Sequence, residues 1–194
     1  EKALRAGVSP KEIAVFYRIH AQSRVLEEAL RAANHPYQIV GGTKFYERAE
    51  IKDALSYLRV LVNPASDVDL LRVINVPARG IGSTTLERLV AFATENGIPV
   101  AQTLEHLDAL SALGPAPKKK LTQFRELLAS LQKLAETLPP SELLSRVLQE
   151  TGYAEALAAD ESAEAEARLE NLEELVSSLV DYEAEAAAAG EAPT

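Results

Sequence analysis

Asn75-Val76-Pro77-Ala78-Arg79-Gly80-Ile81-Gly82-Ser83-Thr84-Thr85-Leu86-Glu87 reads as a helix end, a glycine turn and a new helix start. Pro77 bars continuation of the preceding helix. Gly80 and Gly82 permit positive φ and close backbone approach to a partner. Thr84 followed three residues later by Glu87 has capping-box spacing. A turn of this kind aims unpaired backbone N–H groups outward at the positive end of a helix dipole, which suits a phosphate. With Arg79 beside it, the turn is a candidate clamp for one DNA backbone. The same residues also describe an ordinary helix–turn–helix corner, and a lone G-x-G does not choose between the two.

Downstream of the turn the chain is helical throughout. A helix from about Thr85 is closed by Gly97, and Pro99 starts another that runs to about Leu113. Lys118-Lys119-Lys120 opens a long helix carrying Leu121, Phe124, Leu127, Leu128, Leu131 and Leu134. Ser141 and Glu142 follow Pro139-Pro140 and start a helix closed by Gly152, and Leu169, Leu172, Leu175, Val176 and Leu179 recur at helical spacing. Upstream, Ser66 or Asp67 caps a helix with Leu70, Leu71, Val73 and Ile74 inward, and Glu47 to Val62 is a helix with Ile51, Leu55, Leu58 and Val62 on its buried stripe.

The first 44 residues have a different pattern. Ile13 to Tyr17 is an apolar run read as a buried strand. Gln22 to Asn34 is an amphipathic helix with Val25, Leu26, Ala29 and Leu30 on one face, and Tyr37 to Gly42 is a second strand. Strand, helix and strand at this length form a βαβ unit, and two short strands do not make a stable sheet. The expected fold is mainly α. A small βαβ stub of an incomplete α/β domain (1–44) precedes an all-helical domain (45–185), and a frayed tail or linker (186–194) follows.

The 194 residues include no cysteine, which removes disulfides and thiolate chemistry. No apolar run approaches the roughly 18 residues of a membrane span, and no secretory signal opens the chain. The net charge of −9 argues against non-specific nucleic-acid binding, so any DNA contact must be local. There is no G-x-x-x-x-G-K-S/T loop for a nucleoside triphosphate. His20, His35 and His106 lack metal-ligand spacing, and no serine lies in a nucleophile elbow. These absences leave the chain without catalytic machinery of its own.

Ile13 to Arg18 and Ala21 to Glu28 resemble motif IV of the UvrD/PcrA/Rep superfamily 1 DNA helicases. Pro36 to Arg48 and Glu50 to Arg59 resemble the passage from the second motor domain (2A) into its inserted helical domain (2B). Pro77 to Gly82 looks like that domain's duplex-contacting GIG motif, whose turn is helix–hairpin–helix-like. Arg168 to Leu175 resembles its late helix, and the match is collinear from about residue 12 to 182. The resemblance implies an ATP-driven 3′-to-5′ DNA helicase of bacterial, cytoplasmic repair and replication. It uses ATP and Mg in the intact enzyme and no cofactor in this portion. The ATP-binding motifs, motifs V and VI and the last helix of 2B are not expected here, so this portion alone should not hydrolyse ATP.

The resemblance assigns Arg18, His20 and Lys44 to the single-strand side, with His20 standing where relatives often carry Asn. It assigns Arg79, Gly80, Ile81, Gly82, Ser83 and Thr85 to the duplex side. Ala78 stands where relatives can carry lysine. Each has a plainer counterpart: Arg18 in a local ion pair, Lys44 as a solvated loop lysine, Lys118 to Lys120 as a solvated helix start. The implied partner is DNA, gripped without regard to sequence at a duplex and its single-strand junction. A swivel of the helical domain about Gly41 to Glu47 is expected with it. The alternative is an acidic helical module that docks repair proteins or self-associates.

Overall fold

The structure, a computed structural model, describes residues 2–191. Ten α-helices account for its regular structure: α1 (Lys2–Arg5), α2 (Ser23–Ala32), α3 (Ala49–Val62), α4 (Asp67–Val73), α5 (Ser83–Asn96), α6 (Val100–Thr103), α7 (Pro115–Ala135), α8 (Pro140–Glu150), α9 (Tyr153–Ala158) and α10 (Ala163–Ala189). Single 3-10 turns lie at Pro10–Glu12, His20–Gln22 and Phe45–Glu47. Proline and glycine punctuate the helices as their chemistry dictates. Pro115 and Pro140 occupy first-turn positions where the missing N–H costs nothing. Gly97, Gly152 and Gly190 take left-handed conformations at helix boundaries.

Two hydrophobic cores share two helices. On one side, Tyr57, Val60 and Leu61 of α3 pack with α4, α5, α7 and with Leu143 and Val147 of α8. On the other, Ile51 and Ala54 of α3 and Leu144 and Leu148 of α8 pack with Phe45, α9 and α10. The buried face of α3 is rotated from the expected stripe: Ala54, Tyr57, Val60 and Leu61 are buried, whereas Val62 is exposed. A helix between two cores has no single apolar stripe, so a one-face reading misplaces it.

The helix expected from Pro99 to about Leu113 is instead the four-residue α6 followed by successive turns. Leu104, Leu107, Leu110 and Leu113 are all buried. Their spacing of three matches the i→i+3 hydrogen bonds found there, from Leu104 N–H to Ala101, His106 N–H to Thr103 and Leu113 N–H to Leu110. The side chain of Ser66 does not cap α4; its hydroxyl donates to Asp69 at 2.6 Å. Ser162 does cap α10, accepting from Ala165 N–H at 3.1 Å. The tail expected to fray from Ala186 continues as helix to Ala189, and residues 192–194 lie outside the described residues.

The βαβ stub is not formed. Among the described residues there is no strand; residues 13–17 and 35–39 run without ladder partners. The expected buried strand is exposed, with Phe16 93% accessible. A strand needs a neighbour to satisfy its backbone, and the chain supplies none here. Helix α2 is inverted relative to expectation. Its polar residues Ser23, Arg24 and Glu27 are buried, while Val25 is exposed and Leu26 and Leu30 are only half-buried.

That inversion follows from a buried polar knot. The Glu27 carboxylate accepts from the Ser23 hydroxyl at 2.9 Å, the Phe45 N–H at 3.1 Å and the Tyr37 hydroxyl at 3.0 Å. Arg48 donates to Asn171 and to Ser23, both at 2.6 Å, and Asn171 donates to Glu50 at 2.6 Å. Arg24 pairs with Glu174 at 2.6 Å and Glu28 at 2.7 Å. Burial depresses the Arg48 pKa, opposed by the Glu27 and Glu50 carboxylates. Phe45 and Arg48 are therefore fixed against α2 and α10, and the exposed residues of the expected pivot, Gly41 to Glu47, are 41–44 and Glu47. Removing one member of such a network strands buried charge. Arg48→Leu is expected to lower unfolding free energy by about 3 kcal/mol or more, read from urea denaturation followed by circular dichroism.

Candidate nucleic-acid interface

The glycine turn spans residues 74–82 between α4 and α5 and is built from the inside. The Asn75 carboxamide oxygen accepts from the N–H groups of Arg79 at 2.8 Å and Ile81 at 3.1 Å. Two side-chain bonds to one oxygen close the turn where no regular ladder can. The Val76-Pro77 peptide bond is cis. Ile81, 2% exposed, plugs the turn into the core.

Arg79 faces inward. Its Nη1 donates to the carbonyls of Val76 at 2.9 Å and Val73 at 3.1 Å, and its Nη2 donates to the Tyr57 hydroxyl at 2.7 Å. The guanidinium carbon lies 5.3 Å from the Phe124 ring centre and 5.9 Å from that of Tyr57. The carbonyls it collects lie at the open C-terminal end of α4, where a cation is favoured. The Tyr57 hydroxyl donates to the Val76 carbonyl and lies 3.2 Å from that of Val73. Arg79 is thus the brace of the turn, and both of its Nη groups are committed before any ligand arrives. Its inward role and the Asn75 staple escaped the sequence reading. An Asn at the end of a helix pattern, four residues before an Arg, is the one local signal for it.

The outer face carries the free groups. Helix α5 begins at Ser83 with Gly82 as its N-cap, two residues earlier than the Thr84–Glu87 spacing suggests, and no side chain caps it. The N–H groups of Thr85 and Leu86 turn back to the Gly82 carbonyl at 3.0 and 3.2 Å. Those of Gly82, Ser83 and Thr84 precede the first intrahelical bond and have no partner among the described residues. Gly80 has φ +67°, whereas Gly82 has φ −79°. A Cβ at Gly82 would meet nothing within 4 Å. Gly82 is therefore free of any internal requirement for glycine. Thr85 is buried, so its hydroxyl belongs to the base of the turn rather than its rim.

The family model for the UvrD-like helicase C-terminal domain matches residues 2–192. The chain belongs to this family. It is 45% identical over 186 residues to the ATP-dependent DNA helicase PcrA of Staphylococcus epidermidis, covering 94% of this chain and 25% of that protein. The PcrA helicase of Bacillus subtilis is 42% identical over 172 residues, covering 89% of this chain and 23% of that protein. The chain spans about a quarter of the length of the curated relatives it matches.

In this UvrD-like chain the other candidate residues form a second group. Arg18 and Ile19 offer their N–H groups to the Gln22 side chain at 3.1 and 3.5 Å, and the Arg18 side chain is exposed. His20 stacks edge-on with Tyr17 at 6.3 Å, and a Cβ at Gly42 would stand 3.5 Å from its ring. Lys44 lies 3.9 Å from Glu47 and 5.9 Å from the Tyr37 ring centre. Arg18 and His20 thus lie at the 3-10 turn that leads into α2 and Lys44 at the one that leads into α3, and the glycine turn is tied to Tyr57 farther along α3. No helix among the described residues is long and apolar enough to cross a membrane, and no cluster of metal-ligating residues occurs among them.

Two outcomes are expected at the turn. Arg79→Gln should cost about 2–3 kcal/mol of stability, since it uncovers half-buried carbonyls; urea titration measures it. Burial pushes the Tyr57 phenol up to about 12, with Arg79 opposing. A phenol raised in the folded state contributes stability that is complete below about pH 10 and lost as pH rises toward 12. The alkaline loss of stability should therefore be smaller in Tyr57→Phe than in the parent, measured by urea midpoints from pH 8 to 12.

Proposed function

We propose that this chain is the DNA-gripping and regulatory portion of an ATP-dependent 3′-to-5′ DNA helicase of bacterial repair and replication, working in the cytoplasm. The observation that carries the proposal is the outer face of the glycine turn: three backbone N–H groups without partners among the described residues, held at a helix N-terminus by a turn that Asn75 and Arg79 brace from within. Such groups contact phosphate and carry no sequence information, so the grip is on the duplex backbone. In this reading residues 1–44 belong to motor domain 2A and residues 45–185 to the inserted domain 2B. Arg18, His20 and Lys44 meet the single strand. The exposed Phe16, Val15 and Val40 and the apolar side of α2 rest against the motor's sheet. ATP and Mg are bound by the motor, since this chain has no phosphate-binding loop.

Gly82→Ala tests the grip without disturbing the fold. A methyl group there meets no neighbour and projects into open space next to the free Gly82 N–H, where it would crowd an approaching phosphate. Fluorescence anisotropy of a labelled duplex with a 3′ tail should show about tenfold weaker binding, or 1.4 kcal/mol, with unchanged circular dichroism. Binding that is insensitive to Gly82 would sink the proposal.

The second reading, an acidic module that docks repair proteins or self-associates, is favoured by one feature. A groove between α8 and α10 is lined by Leu134, Leu138, Val176 and Val180, with Glu142 and Arg146 at its polar positions. Val180→Asp should abolish such docking and leave DNA binding unchanged.

A further inference from the structure

We infer that Lys120 is a phosphate-contacting residue of the glycine turn, delivered to it from α7. The inference rests on the duplex reading and adds to it a side chain from a different element, 40 residues away in sequence. Leu121 and Phe124 are buried and set the rotation of α7. Phe124 lies against Arg79, so the first turns of α7 are held beside the brace. Lys120 consequently reaches over the turn, and its Nζ donates to the Gly80 carbonyl at 2.9 Å.

Gly80 is what admits it. A Cβ there would stand 2.3 Å from the Lys120 Nζ. The left-handed φ of Gly80 turns its carbonyl toward the ammonium, and the absent side chain leaves the space the ammonium fills. Gly80 therefore has a reason internal to the protein to be glycine, its left-handed φ, and Gly82 is the open one.

The charge on Lys120 is uncompensated. No carboxylate lies within ion-pair distance of it among the described residues, in a chain of net charge −9. An ammonium has three donors, and one carbonyl uses one of them. Gly82, with its free N–H, is two residues from Gly80, at most about 7 Å along the chain. Left bare, the Gly80 carbonyl would repel a phosphate beside those N–H groups; Lys120 covers it and reverses the sign. Its neighbours do not duplicate the arrangement, since Lys118 lies 3.4 Å from the Asp108 carbonyl and Lys119 is exposed. The ligand this fits is a phosphodiester of the DNA backbone.

The test is the salt dependence of duplex binding by the whole chain, with the tailed duplex as probe. Lys120→Gln keeps an amide donor for the Gly80 carbonyl and removes the charge. It should reduce the slope of log K against log salt by about 0.9, the value for one phosphate contact. Lys120→Arg should retain the slope. Lys133→Gln removes the same charge about 20 Å along α7 and should change neither slope nor affinity. If Lys120→Gln binds with parental affinity and slope while Gly82→Ala weakens binding, Lys120 only braces the turn and the inference falls alone. An equal effect of Lys133→Gln would show a net-charge effect and overturn it as well. Absence of duplex binding by the parent chain at low salt would overturn the duplex reading, and the inference with it.

Discussion

The guanidinium of Arg79 sets the shape of everything near the turn. It draws together the carbonyl end of α4, the hydroxyl of Tyr57 on α3 and the ring of Phe124 on α7. Three helices separated by up to 67 residues of sequence are thereby fixed around one cation, from Tyr57 to Phe124. The turn outside it can then consist of glycines and small residues without being floppy, because its rigidity comes from the buried side. This division of labour separates the residues that shape the turn from those that can face a ligand. Arg79, Asn75 and Ile81 belong to the first set, and Gly82, Ser83, Thr84 and Lys120 to the second.

The same principle operates at the other end of α3. There the chain uses charges and amides where the rest of the molecule uses leucine. Arg48, Asn171, Glu50, Ser23 and Glu27 satisfy one another in a row of short hydrogen bonds. A buried polar network of this type contributes less net stability than apolar packing of equal volume, but it accepts one geometry. Helix α2 is held in an orientation that leaves its apolar residues outward, which no apolar contact within the chain would choose.

The helical character of residues 45 onward was legible because its leucines recur at helical spacing and prolines and glycines mark the boundaries. Gly97 and Gly152 end helices as their conformational freedom suggests. The leucines at 104, 107, 110 and 113 were misread as helix, since a spacing of three passes for a helical stripe until hydrogen bonds are assigned. The rotation of α3 was hidden because a helix between two cores has apolar residues on two sides. The strands were misread for a different reason: Ile13 to Tyr17 has the composition of a buried strand, and composition does not reveal whether a neighbour exists. At the candidate interface, the position of the turn could be read from its glycines. The inward course of Arg79 left only the spacing of Asn75 as a local trace, and the arrival of Lys120 left none, since it depends on how α7 packs.

Arg24 bonds to Glu174 and lies 3.5 Å from Asp181, and Arg48 bonds to Asn171. These contacts pin α2 and the start of α3 to the late helix α10, across 123 to 157 positions of sequence. Both segments therefore share one anchorage at the start of α3, and the glycine turn is tied to the same helix farther along, at Tyr57. Mechanically this is a lever clamped at a single root. A pull on the turn is borne as torque at the anchorage, where the load falls on directional hydrogen bonds. Such bonds yield abruptly once their angles are exceeded, so this root is stiff under small loads and gives way all at once rather than by degrees.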